Sequence, residues 1–418
     1  MRTVIVGQGY VGLPLAMEAV AAGHDVVGFE INPHRLASLG RGESYVGDVS
    51  SATLQQALAT GRYAATKESA DLAGFDVAVI TVPTPLHEGN PDLSAVEMAT
   101  AQLGSHLKPG ATVVLESTTW PGTTQELVAP LLEERSGLRA GTDFHVGYSP
   151  ERIDPGNREW GLVNTPKVVS GLSEGCLDAV DGFYRGLVDE TVPVSSTAVA
   201  ELTKLLENTF RHVNIALVNE LAMFAHALDI DIWETITAAS TKPFGFMPFR
   251  PGPGVGGHCL PVDPSYLSWR VQRSLGSTFR FVVLANDINE HMPLYVVDRV
   301  QMALNDQGRA VRGARILILG VAYKANSSDD RETPAYPVIE RLLSLGAEVR
   351  VADQSVARTP FDDRVARVEA NADEAATADL VLVLTDHDDF ELEALAAAAP
   401  YVLDTRRAIR PGEGVEHL

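Results

Sequence analysis

Two segments of this sequence hold residues whose types and spacing suit chemistry better than packing. The first is Gly254-Val255-Gly256-Gly257-His258-Cys259-Leu260-Pro261-Val262-Asp263-Pro264. Three glycines ahead of a cysteine allow close backbone approach, and Asp263 before Pro264 reads as a helix N-cap and first helical position. Cys259 is then expected just ahead of a helix N-terminus, where the dipole favours thiolate. The second segment is Gly7-Gln8-Gly9-Tyr10-Val11-Gly12, a G-x-G-x-x-G turn after an apolar strand and before a helical pattern. Glu30, an acidic residue, closes the next strand at the position a dinucleotide fold requires. Gly7, Gly9 and Gly12 make the tight turn and let a pyrophosphate reach N–H groups at the helix start, where Tyr10 and Val11 stand. Glu30 would accept hydrogen bonds from the adenosine ribose and repel a 2′-phosphate, so NAD is expected over NADP. Arg35 falls beside the same cofactor.

An NAD site together with an activated cysteine suggests a specific reaction. Hydride leaves an alcohol, and the aldehyde is captured by the thiolate as a thiohemiacetal. A second hydride transfer makes a thioester, which water hydrolyses to the acid. Such a sequence uses two NAD+ and needs a proton acceptor, an activated water and donors for the oxyanion. No metal is assigned. The other cysteine, Cys176, reads as a small buried apolar residue.

The elements that must position these groups follow from apolar patterning. Short apolar runs at 2–7, 25–30, 76–82, 112–116, 144–148, 168–171 and 190–194 read as buried strands. Helical patterns between them, such as 93–107 and 125–135, imply βαβ units and a parallel sheet. From Ser196 to about Ala227 there is no strand signal, glycine or proline. Leu202, Leu205, Leu206, Phe210, Val213, Leu217, Leu221 and Phe224 recur there at helical spacing. Ser196 or Thr197 can cap a helix of about 30 residues, roughly 45 Å long at 1.5 Å per residue. That length suits a spine or a dimer interface. A stretch dense in proline and glycine, 243–264, precedes helical patterns that run from 264 to 304. The α/β pattern resumes with strands at 315–320, 348–352, 380–384 and 401–403 and a helix at 334–345.

The expected class is therefore α/β, with two Rossmann-like doubly wound domains joined by a central all-helical domain with a long spine helix. The expected domains are 1–195 for NAD, 196–305 for the nucleophile loop and dimerisation, and 306–418 for the second ligand. The second α/β half opens on Gly320-Val321-Ala322-Tyr323-Lys324 without repeated glycines, so bulky side chains exclude a second dinucleotide. Lys324, Arg331 and Arg406 fall instead at strand ends, where open sheets bind ligands.

Charge and composition narrow the partners. The formal charge is -22, with 55 acidic against 33 basic side chains, so nucleic acid and anionic lipid are discounted. An anionic ligand needs a local basic cluster, which Lys324, Arg331 and Arg406 supply. No apolar run approaches the roughly 18–20 residues that cross a bilayer. The two cysteines and the absence of a secretory signal pattern lead to an expectation of free thiols in the cytoplasm.

Five further motifs accompany the two segments: Thr81-Val82-Pro83-Thr84-Pro85, Glu116-Ser117-Thr118-Thr119-Trp120-Pro121-Gly122-Thr123, Tyr148-Ser149-Pro150-Glu151-Arg152, Glu201-Leu202-Thr203-Lys204-Leu205-Leu206-Glu207-Asn208 and Asp329-Asp330-Arg331-Glu332-Thr333-Pro334. With them the chain resembles the UDP-glucose/GDP-mannose dehydrogenase family over nearly its full length. The resemblance implies oxidation of the C6 alcohol of a nucleotide sugar to a carboxylate. It makes Cys259 the nucleophile and Asp263 the group that positions or activates water. Lys204 and Asn208, four apart on one helical face, reach the oxygen at C6, with Lys204 stabilising the oxyanion. Thr118 holds a catalytic water at the cofactor, and Glu151 assists proton transfer or thioester hydrolysis. Thr81, Pro83, Thr84 and Arg331 line the cofactor. Lys324 and Arg406 hold the uridine diphosphate, with Arg152, Arg250 and Gly256 as further substrate candidates.

His258 before the nucleophile, where UDP-glucose enzymes usually carry serine, is similar to the branch that uses 2-acetamido sugars, as is Thr241-Lys242-Pro243-Phe244-Gly245-Phe246-Met247-Pro248-Phe249. UDP-N-acetylglucosamine is the first expectation, ahead of UDP-N-acetylmannosamine, UDP-N-acetylgalactosamine and UDP-glucose. Two rivals are a one-step hydroxyacid or sugar-acid dehydrogenase with no covalent intermediate and a non-catalytic nucleotide-sugar binder. At least a homodimer is expected.

Overall fold

The structure, a computed structural model, describes every residue except 88, 154–156, 158 and 258, and of residues 259 and 261 it describes the backbone alone. The chain divides into two compact units. Met1–Glu207 with Ser265–Ser277 forms one, and Asn208–Pro264 with Thr278–Leu418 forms the other.

The first unit is built on β1 (Arg2–Val6), β2 (Asp25–Phe29), β3 (Tyr63–Thr66), β4 (Val77–Ile80), the two-stranded β5 (Leu86–His87) and β6 (Asn90–Pro91), β7 (Thr112–Leu115), β8 (His145–Tyr148), β9 (Lys167–Gly171) and β10 (Thr191–Pro193). Its main sheet has the order β10-β9-β8-β7-β4-β1-β2-β3. The β3-β2-β1-β4-β7-β8 part is wholly parallel, which is the doubly wound dinucleotide order with its switch point between β1 and β4. The expected parallel sheet fails at one pairing, because β9 runs antiparallel to β8. A parallel neighbour needs a crossover, usually a helix. Among the described residues of 149–166 there is none.

Apolar strands flanked by apolar helix faces bury the core. The helix Gly12–Ala21 carries Leu13, Leu15, Ala16 and Ala19 wholly out of solvent against Ile5 and Val79. Full burial of each leucine is worth roughly 1.5–3 kcal/mol. The expected helix at 125–135 starts instead as a π-helical turn, Thr124–Val128, before Ala129–Ser136. Pro130 sits at this junction, and it has no N–H to continue an i→i−4 ladder.

The second unit carries β11 (Arg315–Leu319), β12 (Glu348–Ala352), β13 (Ala366–Arg367), β14 (Leu380–Val383), β15 (Val402–Asp404) and β16 (Val415–His417). They pair in the order β13-β12-β11-β14-β15-β16, all parallel. That is again the Rossmann order, with the switch point between β11 and β14.

Between β10 and β11 the described chain is helical: Thr197–Ala227, Ile232–Ser240, Cys259–Leu275 and Arg280–Asp306. The first has 31 residues, and Ser196 Oγ accepts the Val199 N–H at 3.3 Å to cap it. The helical patterns at 264–304 form two helices, broken before Arg280. One expectation is corrected here. Asp263 and Pro264 do not open a helix; the helix already starts at Cys259 and Pro264 lies inside it. The Asp263 carboxylate is drawn to a tertiary partner, Asn208, in place of a cap. Among the described residues no helix is long and apolar enough to cross a membrane.

Candidate active site

The cofactor cradle lies at the switch point of the first unit. Its three glycines do separate jobs. Gly7 has φ +94°, and a Cβ there would sit 2.6 Å from Thr81 O. A Cβ on Gly12 would fall 1.9 Å from Gly7 O, so this glycine seals turn against helix. At Gly9 the nearest group is Arg35 Nη1 at 3.9 Å, leaving the opening a pyrophosphate needs. No side chain caps the start of the Gly12–Ala21 helix, at Val11. Thr81 Oγ1 donates to Val6 O at 3.0 Å and Gly7 O at 2.8 Å, fastening the next strand end to the turn. Pro83 beyond it is exposed and Thr84 is buried.

Glu30 is 5% exposed, with its carboxylate inside this cradle. It accepts the N–H of Gln8 at 3.2 Å and of Asn32 at 2.9 Å, and Arg35 Nη1 stands 3.4 Å away. A carboxylate has about four acceptor positions, so a ribose hydroxyl still finds one. Arg35 also lies over the Tyr45 ring, and Gly9, Tyr10 and Tyr45 line a cleft beside it. Gln8 occupies the first unspecified position of the G-x-G-x-x-G turn. It is buried, donates to Ile5 O at 2.9 Å and accepts the Tyr63 hydroxyl at 2.8 Å, while its own carbonyl takes the Tyr45 hydroxyl at 2.5 Å. Nothing in the spacing points to this, because Tyr45 and Tyr63 are distant in sequence. The cradle fits NAD.

The same unit holds a buried acid–base pair. Glu151 follows β8, and its Oε2 lies 3.7 Å from Lys204 Nζ. Side-chain exposures of 13% and 7% take the pair largely out of water. Glu151 also accepts the Ile153 N–H, which holds the turn. Arg152 is placed differently from a ligand group. Nη2 and Nε bind Glu207 at 2.6 and 3.3 Å, and Nη1 binds Pro166 O at 2.6 Å. Those contacts anchor the Glu151 turn to the long helix. Thr118, past β7, is half-buried.

Glu201, to which its motif assigns no role, ties these parts together. It is fully buried. Oε2 accepts the Gly122 N–H at 2.6 Å, and Oε1 accepts the Thr124 N–H and hydroxyl at 2.8 and 2.7 Å. Burial pushes its pKa up to about 7, against the pull of those donors. One turn before Lys204, it fixes the segment that follows Thr118. A glutamate at helical spacing from Lys204, the lysine expected to be catalytic, was the available signal.

In the second unit Asn208 Nδ2 donates to Asp263 Oδ2 at 2.5 Å, with Asp263 only 2% exposed. This joins two motifs 55 residues apart. His258 lies outside the described residues, as does the side chain of Cys259. Lys324 and Arg331 follow β11 and Arg406 follows β15, on the C-terminal edge where such sheets bind ligands. Arg406 Nε donates to Leu384 O at 2.7 Å, and burial lowers the guanidinium pKa. A desolvated cation of this kind favours an anionic ligand. Arg331 is already engaged by Asp329, Nε to Oδ1 at 2.8 Å and Nη2 to Oδ2 at 2.5 Å. Arg250 is exposed. Gly256 has no room for a Cβ, which would lie 2.7 Å from Tyr323 Cβ.

A dinucleotide cradle in one Rossmann unit and a cationic strand edge in another define an NAD-dependent dehydrogenase with an anionic substrate. Residues 1–188, 198–291 and 317–411 match in order the NAD binding, central and UDP binding domains of the UDP-glucose/GDP-mannose dehydrogenase family. A UDP-N-acetyl-D-glucosamine 6-dehydrogenase of Pseudomonas aeruginosa is 41% identical over 84% of this chain and 82% of its own. A UDP-N-acetyl-D-mannosamine dehydrogenase of Pyrococcus horikoshii is 36% identical over 94% of this chain and 90% of its own. A solved structure of UDP-D-ManNAc dehydrogenase from that organism superposes with a TM-score of 0.91 at 34% identity, covering 100% of this chain and 98% of that one. The chain belongs to the UDP-glucose/GDP-mannose dehydrogenase family, and it is an NAD-dependent nucleotide-sugar 6-dehydrogenase.

Proposed function

We propose that the chain oxidises the C6 hydroxyl of a UDP-2-acetamido sugar, UDP-N-acetylglucosamine before its epimers, to the uronic acid through a thiohemiacetal and a thioester on Cys259. The observation that carries the sugar is the 41% identity to the Pseudomonas aeruginosa UDP-N-acetyl-D-glucosamine 6-dehydrogenase. The similar likeness to the mannosamine enzyme makes that epimer the second reading. NAD+ would supply the hydride acceptor, one molecule for each of the two oxidations, with NADH exchanged for fresh NAD+ between them. Lys204, oriented by Glu151, neutralises the developing oxyanion in a site from which water is largely excluded. Cys259 adds to the aldehyde carbon, and expulsion of the second hydride leaves the thioester. Asp263, fixed by Asn208, holds the water that cleaves it. Thr118 holds a further water, and Glu151 takes up the proton released on hydrolysis. Gly7, Gly9, Tyr10, Val11, Gly12, Glu30, Arg35, Thr81, Pro83, Thr84 and Arg331 serve the cofactor. Lys324 and Arg406 take the diphosphate, with Arg250 and Gly256 near the substrate and Arg152 steadying the Glu151 turn.

The chain acts in the cytoplasm as a homodimer on this reading. The long helix leaves a stripe exposed, including Leu206 at 63%, Phe210 at 47%, Leu217 at 52% and Phe224 at 55%. A second copy packed on it would remove that surface from water. Sedimentation of Leu217→Asp at the monomer mass, with wild type at twice that mass, is the expected result.

The deciding assay supplies NAD+ with UDP-N-acetylglucosamine, UDP-N-acetylmannosamine, UDP-N-acetylgalactosamine, UDP-glucose or GDP-mannose, one at a time, and counts NADH against product mass. Two NADH per acetamido uronic acid are expected, and Cys259→Ser should stall before the acid is released. One NADH per product refutes the covalent route, and activity with UDP-glucose alone refutes the sugar assignment.

A further inference from the structure

The glycines ahead of Cys259 leave room for the protein itself, and the groups that fill it come from the cationic strand edge. A Cβ on Gly252 would meet Arg406 Nη1 at 3.1 Å, and one on Gly254 would meet Pro334 Cβ at 3.1 Å. On Gly256 it would lie 2.7 Å from Tyr323 Cβ and 2.8 Å from Glu332 O. On Gly257, at φ +82°, it would lie 2.9 Å from Tyr323 Cζ and Cε2. The Gly257 N–H donates to Arg331 O at 2.9 Å, and the Tyr323 N–H donates to Asp329 O at 3.0 Å. Tyr323 thus stands next to Lys324 in the chain while its ring occupies the space two glycines vacate just before Cys259.

We propose that Tyr323 is a positioning residue that couples occupancy of the diphosphate site to the placement of the Cys259 segment. This rests on Lys324 as the diphosphate ligand and Cys259 as the nucleophile. A glycine-rich segment has wide conformational freedom when nothing holds it. Phosphate on Lys324 fixes that side chain's backbone and so the ring of its neighbour. A close-packed ring transmits position because a contact below 3 Å from a would-be Cβ leaves no slack. Binding energy from the nucleotide, remote from C6, is thereby used to set the geometry at the reacting carbon. UDP alone, with no sugar to shield the thiol, should therefore change the reactivity of Cys259.

The test is alkylation by iodoacetamide, followed by mass spectrometry, with and without UDP. Cys176 is fully buried, so labelling of the folded enzyme reads Cys259, and Cys259→Ser gives the blank. In wild type UDP should accelerate labelling roughly twofold to thirtyfold, the range one coupling residue carries. Tyr323→Ala should bind UDP with a similar Kd by calorimetry yet lose that response. It should also lose kcat with little change in KM. Tyr323→Phe, which keeps the ring, should restore both. If Tyr323→Ala proves unfolded, Tyr323→Leu takes its place. A wild-type rate indifferent to UDP, an alanine or leucine variant that still responds, or a phenylalanine variant that does not, would each overturn the coupling. The underlying reading fails separately. If Cys259→Ser still yields two NADH per product, the nucleophile is misassigned whatever UDP does to labelling.

Discussion

Glu201→Gln separates a positioning carboxyl from an ordinary buried one. The wild-type group is wholly buried, and burial pushes its pKa to about 7. Between its unfolded value and about 7 the folded protein holds a proton that the unfolded chain releases. Stability from this group is therefore complete in acid and falls as pH rises towards 7, then levels off. The displacement corresponds to roughly 3 kcal/mol, with no discount for solvent screening because the carboxyl is buried. Glutamine stays neutral at every pH and mimics the protonated acid. For a unit of roughly 200 residues, where 1 kcal/mol moves Tm by roughly 2–4 °C, the wild-type Tm minus the variant Tm should fall by roughly 5–10 °C between pH 5 and pH 8. Differential scanning calorimetry across that range reads it, and taking the difference removes every group the two proteins share. A difference that stays constant with pH would show that Glu201 does not carry the raised pKa and that its role is simple packing.

Two other perturbations follow from the geometry. If Glu30 takes the proposed cofactor role, Glu30→Gln loses the charged acceptor for the ribose, worth roughly 1.5–3 kcal/mol, so KM for NAD should rise about tenfold to a hundredfold while discrimination against NADP shrinks; initial rates with each cofactor measure it. Asp353 is buried, which alone would raise its pKa, yet the His387 hydrogen bond and the N–H groups of Val321 and Val356 hold the carboxyl well below its usual range. Its contribution is present at neutral pH and lost only as pH falls through that depressed value, so Asp353→Asn should destabilise by roughly 1.5–3 kcal/mol at pH 7, the worth of hydrogen bonds to a charged acceptor. The gap to wild type, followed by chemical denaturation, should close only in strong acid; a gap already closed at pH 5 would contradict the assignment.

The parts legible in the sequence were those governed by local rules. Strand β1, the glycine turn and Glu30 follow from a period, three residues without Cβ and a spacing. The repeat of that pattern at β11 likewise announced a second Rossmann sheet. The long helix followed from apolar spacing; of the two hydroxyls that could cap it, Ser196 or Thr197, the structure chose Ser196. Short strands such as β13 and β16 went unseen because two or three residues hold no period. The antiparallel entry of β9 depends on what the preceding connection lacks. Asp263-Pro264 misled for a clear reason: a cap preference is worth about 1 kcal/mol, and a buried hydrogen bond to Asn208 outweighs it.

By itself the sequence determined the cofactor, the family and the order of the longer elements, because each is written in short motifs and runs along the chain. Only the tertiary structure decided that Gln8 is a buried bracket, that Arg152 anchors a turn, that Glu201 holds the segment after Thr118, and that Tyr323 fills the space beside Gly256 and Gly257. Each of these is a contact between residues far apart in sequence. Burial and close packing set its energy, and neither can be read until the chain has folded.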